Sequence, residues 1–265
     1  MRKGWKTCAV LLAAILAALL ASASAVPLHA QAVLRVAAAA DLEPVLPAVL
    51  ARFQQSTGIR AEATYKSSAV LTSQIINGAP FDVFLSADLG FPQRLIAAGL
   101  AVGNASGQPV TYAKGTLVLW ERNDAHLPPP SLDLLRGPAI RRLAIANPEN
   151  APYGRAAVAA LRSLNLYAAF QPRLATAENI AQAAQFVYSA NADAGLISMT
   201  SALTPQLRQA GTYFILPFHL YPPLNQGAVL VKSTTQRAAA QKLLDALLSP
   251  SIQAELAKGG LTPVH

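Results

Sequence analysis

From residue 33 onward, short β-favouring runs alternate with longer segments of helical periodicity, which restricts the chain to sheets covered by helices on both faces. Residues 33–38 read as a strand. Leu42, Val45, Leu46, Val49, Leu50 and Phe53 then form one apolar stripe at helical spacing, ended by Gly58. Residues 60–65 alternate as a second strand. Val70, Leu71, Ile75 and Ile76 mark a helix that stops at Gly78, 82–85 is a buried strand, and 91–98 is a helix closed by Gly99. The pattern lapses over 103–109, which is loop material. It resumes with strands at 116–120 and 143–146, helices at 153–164 and 180–190, and strands at 194–197 and 213–216. After the proline-rich 217–223 come a strand at 227–231 and two helices, 236–248 and 251–258. The expectation is two α/β lobes, each a mainly parallel sheet flanked by helices: 33–112 with about 218–265, and about 113–217.

The segment before residue 33 reads differently. Arg2, Lys3 and Lys6 precede an apolar run over 8–20 and a small-residue stretch over 21–25, the layout of a secretory signal peptide. Cleavage is expected after Ala25 or Ala32, with Ala32 favoured because the first strand begins directly after it. The apolar run is shorter than the roughly 20 residues of a membrane span, which argues against the alternative of an uncleaved anchor. The chain's one cysteine, Cys8, falls in this segment, so the exported chain has no disulfide, thiolate nucleophile or cysteine-ligated zinc. Removing the charges of Arg2, Lys3 and Lys6 from the net +8 leaves +5. The remaining basic residues are scattered and not interleaved with aromatics, so no nucleic-acid surface is expected.

Ligands of parallel α/β sheets bind beyond the carboxyl ends of the strands, which directs attention to four strand-to-helix turns. In the first, Ala38-Ala39-Ala40-Asp41-Leu42, small residues allow close backbone approach, and Asp41 stands where an N-cap belongs. The second places Ser67 and Ser68 at a helix start, where they either cap it or offer hydroxyls and amides to an anion. The third, 147–154, ends in Pro152-Tyr153-Gly154, with Tyr153 either a lid or a surface aromatic. The fourth, 177–180, offers Asn179 as a cap and Ile180 through its backbone N–H alone. Each turn alone reads equally as a capped helix. Together they aim four helix N-termini at one cleft, with free N–H groups and partial positive charge suited to a compact oxyanion.

Catalytic signatures are missing from the sequence. His126, His219 and His265 do not pair at metal-ligand spacing, and there is no Gly-x-Ser-x-Gly elbow and no phosphate loop. The different-class alternative is an exported serine hydrolase acting through Ser68, which has no evident general base.

Several stretches carry a family likeness: 36–42, Ser67-Ser68 followed by Gln74-Ile75, 77–88, 146–154, 177–180 and 194–197. Through them the chain resembles the periplasmic molybdate-binding proteins that feed ABC transporters, and the likeness covers essentially all of the sequence after the leader. The resemblance implies a type II periplasmic-binding-protein fold that closes over molybdate or tungstate in the inter-lobe cleft. It implies no cofactor, no catalysis, a monomer in the periplasm, and a membrane permease with a cytoplasmic ATPase as partner. It assigns the second-turn hydroxyl to Ser68, amide donors to Tyr153 and Ile180, and the first-turn ligand to Ala40 or Asp41. The sequence departs from the pattern twice. A hydroxyl residue is missing from the first turn, and Asp41 is expected to turn away from an anion and cap its helix. Where some members have a tyrosine after the Gly-aliphatic-aliphatic strand, Ser198 stands, a shorter donor. A binding protein for another oxyanion such as sulfate or phosphate, and a sensor on the same fold, are the remaining alternatives.

Overall fold

A computed structural model describes residues 33–264. The leader with its cleavage sites after Ala25 or Ala32, Cys8 within it, and the terminal His265 lie outside the described residues.

The first sheet grows around β1 (Leu34–Ala39), whose side chains are apolar at every position but Arg35. Leu34, Val36 and Ala38 enter one core and Ala37 another, so the strand is buried on both faces. It pairs in parallel with β2 (Ala61–Lys66) and β3 (Val83–Ser86). The helix Leu46–Thr57 (α1) connects β1 to β2, and Ser68–Ile76 (α2) connects β2 to β3. Gly90–Ala97 (α3) follows, then the short β4 (Ala101–Val102) and β5 (Val110–Gly115). The sheet order is β2-β1-β3-β11-β4, with β5 also paired to β11 (Leu224–Val231), which runs antiparallel to each of its neighbours.

Thr116 alone separates β5 from β6 (Leu117–Arg122), and there the chain passes to the second sheet. That sheet has the order β10-β6-β9-β7-β8. β7 (Leu143–Ala146) lies parallel to β8 (Leu174–Ala177) and to β9 (Ala194–Ser198). β6 runs antiparallel to both of its neighbours, β9 and β10 (Gly211–Ile215). Between these strands lie the helices Leu132–Arg136 (α4), Pro152–Ser163 (α5), Tyr167–Phe170 (α6), Ile180–Tyr188 (α7), Met199–Ala202 (α8) and Pro205–Ala210 (α9). The chain returns to the first sheet at Leu224 and ends with Arg237–Leu247 (α10) and Pro250–Lys258 (α11).

Both sheets are therefore mixed. The parallel trios arise where a helix carries the chain back over the sheet, and the antiparallel strands are those entered directly from the other sheet. Strands β4, β5 and β8 and helices α4, α6, α8 and α9 are short and were not legible as periodic runs. The first-turn helix also starts later than expected. Ala40–Leu42 form a single 3-10 turn, and α1 begins at Leu46 with Pro47 in its opening turn. It ends at Gly58 with φ 73°, the left-handed stop that glycine accepts without strain.

The largest core surrounds the second sheet through Trp120, Phe170, Leu196 and Ile197, and it continues into Ala39, Ala40 and Ala87 at the edge of the first. Glu121 on β6 is also buried, its Oε2 lacks a partner, and burial pushes its carboxyl up to about 7. Among the described residues no helix is long and apolar enough to cross a membrane.

Candidate oxyanion site

The parallel trios of the two sheets turn the carboxyl ends of β1, β2, β7 and β8 toward a shared cavity. Its walls come from four turns: Ala39, Ala40 and Asp41 after β1; Ser67 and Ser68 after β2; Ala151, Pro152 and Tyr153 before α5; and Asn179 and Ile180 before α7. Ala87, just past β3, completes the lining. The cavity is about 10 Å³, at the lower limit of the space one water molecule needs.

Three of the turns open helices of nine residues or more, and their first N–H groups have no partner inside the helix. Pro152 opens α5 and has no N–H, so Tyr153 supplies the first amide of that helix. At α7, Asn179 Oδ1 caps by accepting the Gln182 N–H at 3.0 Å, which leaves the Ile180 amide uncapped by the side chain. Gly154 allows α5 to start where it does. A Cβ there would lie 2.3 Å from the Ala146 carbonyl, so the close approach is to the end of β7, not to a ligand.

The two serines do not cap their helix. Ser67 Oγ is buried without a hydrogen-bond partner. Ser68 Oγ accepts the Ala87 N–H at 3.2 Å, which leaves its own proton free to donate. Tyr153 is neither lid nor surface aromatic: it is 1% exposed, and its hydroxyl also lacks a partner.

Asp41 corrects a second expectation. It does not cap; it is wholly buried and is one of the residues lining the cavity. The cause lies far along the chain, where Gln226 Nε2 on β11 donates to Asp41 Oδ2 and holds the carboxyl. Burial pushes that carboxyl up to about 6, against the opposing pull of Gln226 and the nearby Tyr153 hydroxyl. Asp41 Oδ1 is left without a partner. Burial likewise raises the Tyr153 phenol well above its usual range, and the Asp41 charge adds to the rise.

Of the six residues read from the sequence, the structure brings Ala40, Asp41, Ser68, Tyr153 and Ile180 together around one cavity. Ser198 is not part of it. Its buried hydroxyl is taken up locally, with Ser201 Oγ and Thr200 Oγ1 each at 2.9 Å and the Ser201 N–H at 3.2 Å. Ala87, Tyr112 and Gln226 were not singled out from the sequence, and Ser67 was read there only as the companion of Ser68. The first three carry no local signal. No histidine lines the cavity, so Ser68 has no imidazole base there. Among the described residues, no group of three or more His, Cys, Asp or Glu is placed to hold a metal ion.

The walls of the cavity are in contact across the cleft. The Ala69 N–H at the start of α2 donates to the Asn150 carbonyl at 3.1 Å. Asp88, beyond β3, pairs with Arg155 on α5, and the Arg155 guanidinium lies 5.3 Å from the centre of the Phe91 ring.

Over residues 34–262 the chain matches the family model described as bacterial extracellular solute-binding protein. The chain belongs to that family. Within it, the molybdate-binding protein ModA of Azotobacter vinelandii is 36% identical over 216 residues, covering 82% of this chain and 84% of the relative. ModA of Rhodobacter capsulatus is 35% identical over 226 residues, covering 85% and 86%. Among solved structures, the periplasmic molybdate-binding protein of Azotobacter vinelandii superposes with a TM-score of 0.80 at 31% identity, covering 88% of this chain and all of that one. The chain is thus a ModA homologue with the fold of a periplasmic binding protein, and these relatives are binding proteins by name.

Proposed function

We propose that the chain is exported to the periplasm, captures molybdate or tungstate, and delivers it to an ABC transporter permease driven by a cytoplasmic ATPase. The observation that carries this reading is the donor set of the cavity. Helix-start amides and the Ser67 and Ser68 hydroxyls converge on one small cavity, with no lysine or arginine in the wall. Neutral donors of this kind suit a fully ionised tetrahedral anion, since helix N-termini supply partial positive charge without a counter-ion. The names of the ModA relatives specify the anion. In this reading the two sheets are the cores of two lobes that hinge near Thr116 and the stretch before Leu224. The ligand-contacting atoms are the Ser68 hydroxyl, the Tyr153 and Ile180 amides, and the first-turn groups of Ala40 and Asp41. The protein works as a monomer, and binding is non-covalent.

Discrimination against sulfate rests on cavity size, because charge and shape are alike. Titration calorimetry of the exported protein with molybdate, tungstate, sulfate and phosphate tests the reading. Tight binding of the first two and weak or undetectable binding of the others is expected. Tight sulfate binding with no molybdate heat overturns it.

A further inference from the structure

We propose that Asp41 contacts the captured oxyanion as a neutral carboxylic acid, donating a hydrogen bond from Oδ1, so that capture takes up one proton. This rests on the oxyanion reading above and assigns a specificity-determining donor to the same cavity.

Two residues that do not line the cavity orient the Asp41 carboxyl. Tyr112 and Gln226 are both fully buried, and the Tyr112 hydroxyl donates to Gln226 Oε1 at 2.6 Å. An amide oxygen can only accept, so this bond fixes which way the Gln226 amide points. Its NH₂ group then faces Asp41 and donates to Oδ2. Oδ2 is thereby committed as an acceptor, and a proton on the carboxyl belongs on Oδ1. That atom is buried, makes no hydrogen bond of normal geometry, and belongs to a residue that lines the cavity; the polar group beside the carboxyl is the equally unpartnered Tyr153 hydroxyl.

The surroundings favour the neutral form. The groups acting on the carboxyl are Gln226 from β11 and Tyr153 from α5, and neither is a cation. Tyr112 from β5 feels the Asp41 charge in return. The elements packed against the 40–42 turn are β2, α7 and α8. Their titratable residues, Glu62, Tyr65, Lys66 and Tyr188, are not among the groups that shift it. In the ligand-free cavity, burial already places the carboxyl at about 6. An anion within about 4–6 Å disfavours the charged form further, so the bound state holds its proton well above that pH. By linkage, a group whose proton affinity rises on binding makes binding weaken as pH climbs.

The test is titration calorimetry of the exported protein with molybdate at pH 6.5 to 9, where the anion itself stays ionised, in buffers of different ionisation enthalpy. Wild type should take up close to one proton per anion at pH 7.5 and above. Its affinity should fall by about tenfold per pH unit. The variant Asp41→Asn, which offers an uncharged N–H in the same place, should bind with no proton uptake and an affinity flat in pH. Wild-type binding that is flat over this range, or an Asp41→Asn variant that keeps the wild-type uptake, overturns the proposal while leaving molybdate capture intact. If no tetrahedral anion binds at all, the functional reading falls first and this inference with it.

Discussion

Ser68 uses one oxygen in two ways: it accepts the Ala87 N–H and keeps its proton for the cavity. A charged acceptor makes that second bond worth about 1.5–3 kcal/mol. Ser68→Ala should therefore weaken molybdate binding by roughly ten- to a hundredfold in calorimetry. A hydrolase reading predicts instead the loss of ester turnover. The contrast with Asp41 shows which residue roles a sequence exposes. Ser68 declares itself because a hydroxyl at a helix start is a local pattern. Asp41 was read from the same kind of pattern as a cap, and wrongly, because the residue that decides its orientation lies 185 positions away. No spacing rule reaches that far. Ser198 failed as a wall residue for a local reason of the opposite sort. A serine at the head of a short helix finds Thr200 and Ser201 nearer than any ligand.

Among the elements, those with long apolar stripes were legible: α1, α5, α7, α10 and α11 follow the periodicity of their sequences. The short strands β4, β5 and β8 were not, since they lack the continuous bulky apolar run that marks β3 and β7 and show no clear alternation. The parallel sense of β2-β1-β3 and β8-β7-β9 followed from the helices between their strands, whereas the antiparallel placing of β6 and β11 depends on how the chain crosses between sheets. Helix α5 does more than aim its first amides. One turn in, Arg155 reaches across the cleft to Asp88 and stacks on Phe91. Both partners are partly exposed, so the pair and the stack together contribute roughly 1 kcal/mol to the closed arrangement. Arg155→Ala should reduce ligand affinity about fivefold. Wild-type affinity should approach that of the variant as salt is raised, because screening weakens the same pair. A variant affinity equal to wild type at low salt would show that the contact does not hold the cleft closed.

At the scale of the whole molecule, stability depends on two carboxyls buried in different sheets. Asp41 is pushed up to about 6 and Glu121 to about 7. Both lie above their unfolded values, so the folded state binds more protons than the unfolded state between those limits. Their contribution is complete below about pH 4 and is lost as pH rises through 6 and then 7. The melting temperature of the ligand-free protein should therefore fall from pH 5 to pH 8. In Glu121→Gln, which cannot ionise, the later part of that fall should disappear. The variant should match wild type near pH 5 and melt above it at pH 8, by about 2–4 °C for each kcal/mol recovered. Parallel melting curves at all pH values would remove Glu121 from the account.

The shielding of the cavity wall also governs time. Ala39, Ala40, Ser67, Ser68, Ala87 and Ile180 are each less than 5% exposed, and the largest core runs unbroken behind several of them. On the proposed function, an anion held there is shielded by these buried residues while the cleft contacts persist, and exchange with a competing anion outside is slowed. The lifetime of the complex is then the waiting time for the cleft to part. On the proposed function, a receptor that pries the cleft open would set the moment of release, however strongly the anion is held.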